Sequence, residues 1–219
     1  MKSDASKLAI FDTFKTKNQE LTGEATRQRS IIVSLATQTN PMDKTRTSIS
    51  QKIASKSGIA WKNLYSGVFR DLDEILIPMK LVEEEGRLPL KRGPKALQEK
   101  GIPYYKLTQS GLLVALSLNE IHNRCIILEQ FFSNSQEKEF HEIILKLSEI
   151  APKFTYSLFE KYVKAFCEGK LKNLIPFNFA NLKNVYDESL QIQKEILEAF
   201  TNLSKTDKDK TMDLLKSLG

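Results

Sequence analysis

Residues 50–72 read SQKIASKSGIAWKNLYSGVFRDL, and within them Ile53, Ala54, Gly58, Ile59 and Leu64 fall at the spacing of a helix-turn-helix. Where two short helices cross closely, the first needs a small residue at the contact, here Ala54, beside an apolar one, Ile53. The turn then needs a residue that tolerates positive φ, and Gly58 has no Cβ to clash there. Ile59 and Leu64 return apolar side chains to the crossing. That leaves Trp61, Lys62, Tyr65 and Ser66 pointing outward.

The flanks extend this reading. Ser48-Ile49-Ser50-Gln51 has the form of a capping box, in which the Ser48 hydroxyl accepts an orphan amide and Gln51 reaches back, so the first motif helix is expected to start there. Leu64, Val68, Leu72 and Ile75 recur at helical spacing before Pro78, which predicts a second motif helix from Ala60 to Ile75. Residues 79–84 and 104–108 are two strand-like runs joined by a stretch punctuated with Gly and Pro. Upstream, 25–39 predicts a helix with Ile31, Ile32, Leu35 and Ala36 inward, ended by Asn40-Pro41.

The order helix, helix-turn-helix, hairpin, helix resembles the winged-helix domain. The phrase Lys106-Leu107-Thr108-Gln109-Ser110-Gly111-Leu112 resembles the Leu-Thr-x-x-Gly strand exit of winged-helix transcriptional regulators from archaea and bacteria. The resemblance covers about Thr26 to Leu118. It implies a DNA-binding mode with the second motif helix in the major groove and the wing on the backbone or in the minor groove. The wing, from about 85 to 103, is longer than is usual in that family.

Charge agrees with this placement. Residues 1–118 carry 19 Lys or Arg against 12 Asp or Glu, a net of +7, whereas 119–219 carry 14 against 15, a net of −1. The basic residues gather at Lys44, Arg46, Lys52, Lys56 and Lys62 around the motif, and at Arg87, Lys91, Arg92, Lys95, Lys100 and Lys106 in the wing. Such clusters suit phosphates. Lys91-Arg92-Gly93-Pro94-Lys95 partly resembles the minor-groove core of an AT-hook but lacks its second Arg, so a basic wing tip on phosphates is the preferred reading.

With 219 residues and 41% apolar content the chain can bury a core. It has no apolar run near the roughly twenty residues of a membrane span, and its first residues lack the apolar core of a secretory signal. Its two cysteines do not make a disulfide framework, so a soluble protein in a reducing cytoplasm is expected. Residues 1–24 read as a short amphipathic helix or an arm. From Gln109 the apolar pattern runs on as one long helix leaving the winged domain. Helices are expected over 137–150, 153–168 and 185–203, with a last short one in 205–219.

His122, Cys125, His141 and Cys167 lack the paired spacing of a zinc site, and neither a nucleophile motif nor a phosphate-binding Gly-rich loop occurs. No metal, cofactor or catalytic activity is therefore expected. The fold class is mainly α with a small β-hairpin: an arm over 1–24, a winged helix-turn-helix over 25–118 and a helical domain over 119–219. The function expected is a sequence-specific regulator of transcription that binds double-stranded DNA. Arg46, Lys52, Trp61, Lys62, Asn63, Tyr65, Ser66 and Arg70 would contact DNA from the motif, and Arg87, Lys91, Arg92 and Lys95 from the wing. Leu190, Ile192, Ile196, Leu197 and Phe200 suit a helix that pairs two copies into a homodimer. Two alternatives stay open. Trp61, Tyr65 and Phe69, with Asp71, Asp73 and Glu74 close by, suit a winged helix that contacts protein; Phe154, Tyr156, Phe159, Tyr162, Phe166, Phe177 and Phe179 suit a small-molecule effector pocket.

Overall fold

The computed structural model describes residues 7–15, 18–58, 60–90, 99–133, 141–184 and 187–217. The chain separates into two units, Met1–Phe179 and Ala180–Gly219. The boundary expected at 118/119 lies inside the first of these.

In the first unit the described part of the N-terminal segment is not helical. Leu8, Ala9 and Ile10 are buried, and Thr13 forms an antiparallel bridge with Leu21. Buried Gln28 explains the docking, because its Oε1 accepts the Ala9 amide at 2.9 Å. Helix α1 is Gly23–Thr37, two residues earlier than expected at each end, since the Thr22 hydroxyl accepts from Ala25 N and sets its start. A 3₁₀ turn, Pro41–Lys44, leads into α2, Arg46–Ser57. The cap of α2 is Thr45, whose hydroxyl accepts from Ser48 N, and not Ser48, which instead donates to Met42 O at 2.7 Å. A 3₁₀ turn ahead of the helix brings the Met42 carbonyl within reach, and the Ser-x-x-Gln spacing carries no trace of that.

Gly58 ends α2 in the left-handed region at φ 68°, and α3, Trp61–Arg70, follows. The helix expected to run to Ile75 instead opens into a π-helical turn, Asp71–Leu76, in which Asp71, Leu72, Ile75 and Leu76 are buried. Apolar spacing of three and four reads through one wider turn unchanged. The first strand also begins later than expected. The amides of Ile77, Met79, Lys80 and Leu81 still bond back to carbonyls of residues 72 to 77, so extended pairing starts only at Val82.

Strands β1, Val82–Leu88, and β2, Ile102–Leu107, pair antiparallel from Val82↔Leu107 to Leu88↔Ile102, with a bulge at Glu85. Thr45 adds an isolated bridge to Tyr104 and so ties the entry of α2 to the hairpin. Helix α4, Gln109–Leu116, then returns across the base of β1. Its cap Thr108 accepts from Gly111 N at 3.2 Å, donates its hydroxyl to Lys80 O at 2.5 Å and its amide to Leu81 O at 3.0 Å. A Cβ on Gly111 would stand 2.0 Å from that same Leu81 oxygen. The Thr-x-x-Gly phrase is thus a cap and a close approach in one.

The long helix expected from Gln109 is two helices, α4 and α5, Arg124–Ser133. Arg29 of α1 holds the corner between them, donating to Glu120 Oε1 at 2.6 Å, Glu120 Oε2 at 2.7 Å and Asn119 Oδ1 at 2.9 Å. No Pro or Gly marks this break, because a partner about ninety residues away makes it. Helices α6, His141–Ile150, and α7, Pro152–Cys167, complete the unit. Phe131 sits edge-on to Phe177 at 5.4 Å and to Phe159 at 6.5 Å, and Tyr162 meets Phe177 at 4.9 Å. The aromatic residues close on one another as core. Phe154 and Phe166 are only partly exposed, and the Phe179 side chain lies outside the described residues.

The second unit holds α8, Glu188–Asn202, capped by Asp187, and α9, Lys205–Ser217. Helix α8 has no buried residue, and Ile192, Ile196 and Leu197 are exposed. Among the described residues no helix is long and apolar enough to cross a membrane.

Candidate nucleic-acid interface

The α2–α3 crossing is built as its residues dictate: Ile53 and Ala54 are buried at the contact and Val68 is buried behind it. Ile59 lies outside the described residues. With that face inward, Trp61, Lys62, Asn63, Ser66, Phe69 and Arg70 stand exposed on α3, with Tyr65 and Leu64 partly so. The rings form a ladder. Trp61 and Tyr65 meet edge-on with centroids 6.1 Å apart, and Tyr65 and Phe69 are 6.3 Å apart at a tilt.

Two of the three acids that follow α3 are drawn into arginine pairs. Asp71 is fully buried and takes two hydrogen bonds from the Arg27 guanidinium of α1, at 2.5 Å from Nε and 3.1 Å from Nη2. Asp73 is paired with Arg46 of α2. Glu74 is the exposed acid of the three. Two arginines from two helices thus neutralise two carboxylates, so the α3 surface keeps the charges of Lys62 and Arg70.

Arg46, expected on phosphate, is therefore a clamp. Its guanidinium lies 4.0 Å over the Phe69 ring and 5.3 Å over the Tyr105 ring, joining α2, α3 and β2. Burial raises the Tyr105 hydroxyl above its ordinary pKa, with Arg46 opposing the shift. Lys52 lines a shallow groove with Lys56, Glu120 and residues of α1. Arg87 of β1 forks onto Glu84 at 2.6 and 2.9 Å, an acceptor that raises its pKa. Lys44 pairs with Glu85 at 3.3 Å and Lys106 with Glu83 at 3.4 Å. In the described hairpin, then, these cations face its own acids. Lys91, Arg92 and Lys95 lie outside the described residues.

Of the expected contacts, the structure gathers Trp61, Lys62, Asn63, Tyr65, Ser66 and Arg70 on one helix and turns Arg46 and Arg87 to internal pairs. Arg27, Asp71 and Tyr105, which position α3, were not legible as such. The Asp-x-Asp phrase at 71–73 hinted that neutralisation is needed, but its partners stand 44 and 27 residues away. No family model, curated protein or solved structure matches the chain. Among the described residues, no three His, Cys, Asp or Glu side chains gather as a metal site would require.

Proposed function

We propose that the chain is a winged-helix regulator of transcription that binds double-stranded DNA through α3. The element order supports the fold assignment: α1, the Thr45 bridge, α2, α3, hairpin, α4. The observation that carries the function is the withdrawal of Asp71 and Asp73 into arginine pairs while Lys62, Asn63, Ser66 and Arg70 stay exposed on α3. A helix entering the major groove is served by that arrangement, with donors toward bases, cations toward phosphates and two of the three neighbouring carboxylates neutralised, Glu74 being the one left exposed. Labelled duplex titrated at several salt concentrations tests it. Affinity falls with salt, and Lys62→Ala with Arg70→Ala lowers the slope by about two, since each phosphate contact contributes about 0.9. Salt-independent binding, or a slope unchanged in the double variant, refutes it.

Pairing of two copies belongs to the same reading. Helix α8 is a fifteen-residue helix with none of its residues buried and with Ile196 and Leu197 more than half exposed. Ile196→Asp converts a dimer to a monomer in sedimentation if α8 is the pairing surface. A second reading, contact with protein in a transcription or scaffold complex, is favoured by the exposed rings of Trp61 and Phe69, at 37% and 42% of their surface. It predicts no salt-dependent affinity for any duplex.

A further inference from the structure

The groove between α1 and α2 encloses about 250 Å³, room for about eight waters at about 30 Å³ each. On its α1 wall Ser30, Ser34 and Thr37 share one face, and on its α2 wall Lys52 and Lys56 stand one turn apart. Ser34 is the buried polar residue of this lining, at 4% exposure. A helix hydroxyl commonly donates to the carbonyl one turn back, as Thr37 does to Val33 O and Ser50 to Arg46 O, each at 2.8 Å. Ser34 Oγ does not, and among the described residues it has no hydrogen-bond partner. A buried hydroxyl left unpaired is destabilising, so one kept in the wall of a groove points to a ligand that pairs with it.

Charge says what that ligand is. Among the described residues Lys52 and Lys56 form no ion pair. The one carboxylate of the lining, Glu120, is held by Arg29 through both its oxygens, at 2.6 and 2.7 Å. The groove therefore keeps two uncompensated positive charges. A phosphate monoester matches them, since its second pKa is about 6 and it carries close to two negative charges above neutral pH. Two ammonium groups and a hydroxyl suit the three free oxygens of a tetrahedral group, whereas the planar fork of an arginine, which best fits a flat carboxylate, is absent from the described lining. Leu21, Val33 and Ile53 give the groove an apolar part as well.

We propose that the α1–α2 groove binds a small phosphate monoester, its dianion held by Lys52, Lys56 and the Ser34 hydroxyl and its organic part packed on Leu21, Val33 and Ile53. The backbone of duplex DNA is a poorer occupant. Each of its phosphates is a diester with one charge and a sugar on either side, so it rests on the exposed rim at Lys56 and does not descend to Ser34. The site uses neither α3 nor the hairpin and stands independently of the DNA-binding reading.

The test titrates butyl phosphate into the full chain by calorimetry, beside butyl sulfate, which has the same shape and one charge fewer, and succinate, a dianion of two flat carboxylates. Butyl phosphate should bind at least tenfold more tightly than either. Ser34→Ala should weaken it about tenfold or more, as loss of a hydrogen bond to a charged group does. The ligand-free variant should melt no lower than the parent, because it loses only an unpaired hydroxyl and gains a better helix former. Lys52→Gln with Lys56→Gln should abolish binding. No heat at millimolar butyl phosphate, equal affinity for butyl sulfate or succinate, or unchanged affinity in Ser34→Ala overturns the proposal. So does a lower melting temperature of ligand-free Ser34→Ala, which would give the hydroxyl a structural partner. Loss of duplex binding in the double lysine variant, with no butyl phosphate bound by the parent, assigns the groove to the DNA backbone instead.

Discussion

Replacing Asp71 with Ala leaves the Arg27 guanidinium against α3 without its carboxylate. Asp71 has no exposed surface and the Arg27 side chain keeps 16% of its own, so neither charge is well hydrated once the other is gone. The two hydrogen bonds, 2.5 and 3.1 Å, are lost together. Arg27 has nowhere simple to go, because it lies on Gly67, where even a Cβ would stand 3.0 Å from its Nε. Removing one partner of such a buried pair costs about 3–5 kcal/mol. For a unit of this size that corresponds to a fall of about 6–20 °C in melting temperature. The chain has one tryptophan, Trp61 at the start of α3, so its fluorescence follows the affected helix directly through heating or urea. The control is Arg27→Met with Asp71→Leu, which removes both charges and keeps apolar volume. It should recover most of the loss, since replacing a whole buried pair is often neutral or stabilising. An Asp71→Ala cost below about 1 kcal/mol, or a double variant as unstable as the single one, would refute the view that this pair holds α3 against α1.

Other outcomes follow from the same geometry. Gly111→Ala should destabilise by about 1–3 kcal/mol even though Ala is the better helix former by about 1 kcal/mol, because the new Cβ meets the Leu81 carbonyl; a thermal melt that rises instead would show the approach to be loose. Burial pushes the Cys167 thiol up to about 12. At pH 8 about one in ten thousand of these groups is thiolate, so in a Cys125→Ser background a thiol reagent should react with the native protein orders of magnitude more slowly than with the unfolded chain. Equal rates in the two states would contradict the burial.

How much was legible in the sequence depends on how local each feature is. Gly58, Ala54 and the i, i+4 spacing of Trp61, Tyr65 and Phe69 act within a turn or two of chain, and the outward face of α3 could be read from them. Thr108 and Gly111 were legible as a phrase, but not the reason for it, which is the Leu81 carbonyl delivered by the bend that precedes β1. The corner at Asn119 and Glu120 was invisible because Arg29 makes it. Arg46 read as a cation for phosphate, since a sequence shows charge but not the neighbour that claims it.

The sequence by itself determined the mainly helical chain with one hairpin, the close crossing of α2 and α3, and which side of α3 faces out. These follow from backbone preference and apolar period. Only the tertiary structure decided which charges remain available on that side. Arg27 and Arg46 reach Asp71 and Asp73 from other helices, and the charge presented by α3 is what those long-range pairs leave exposed.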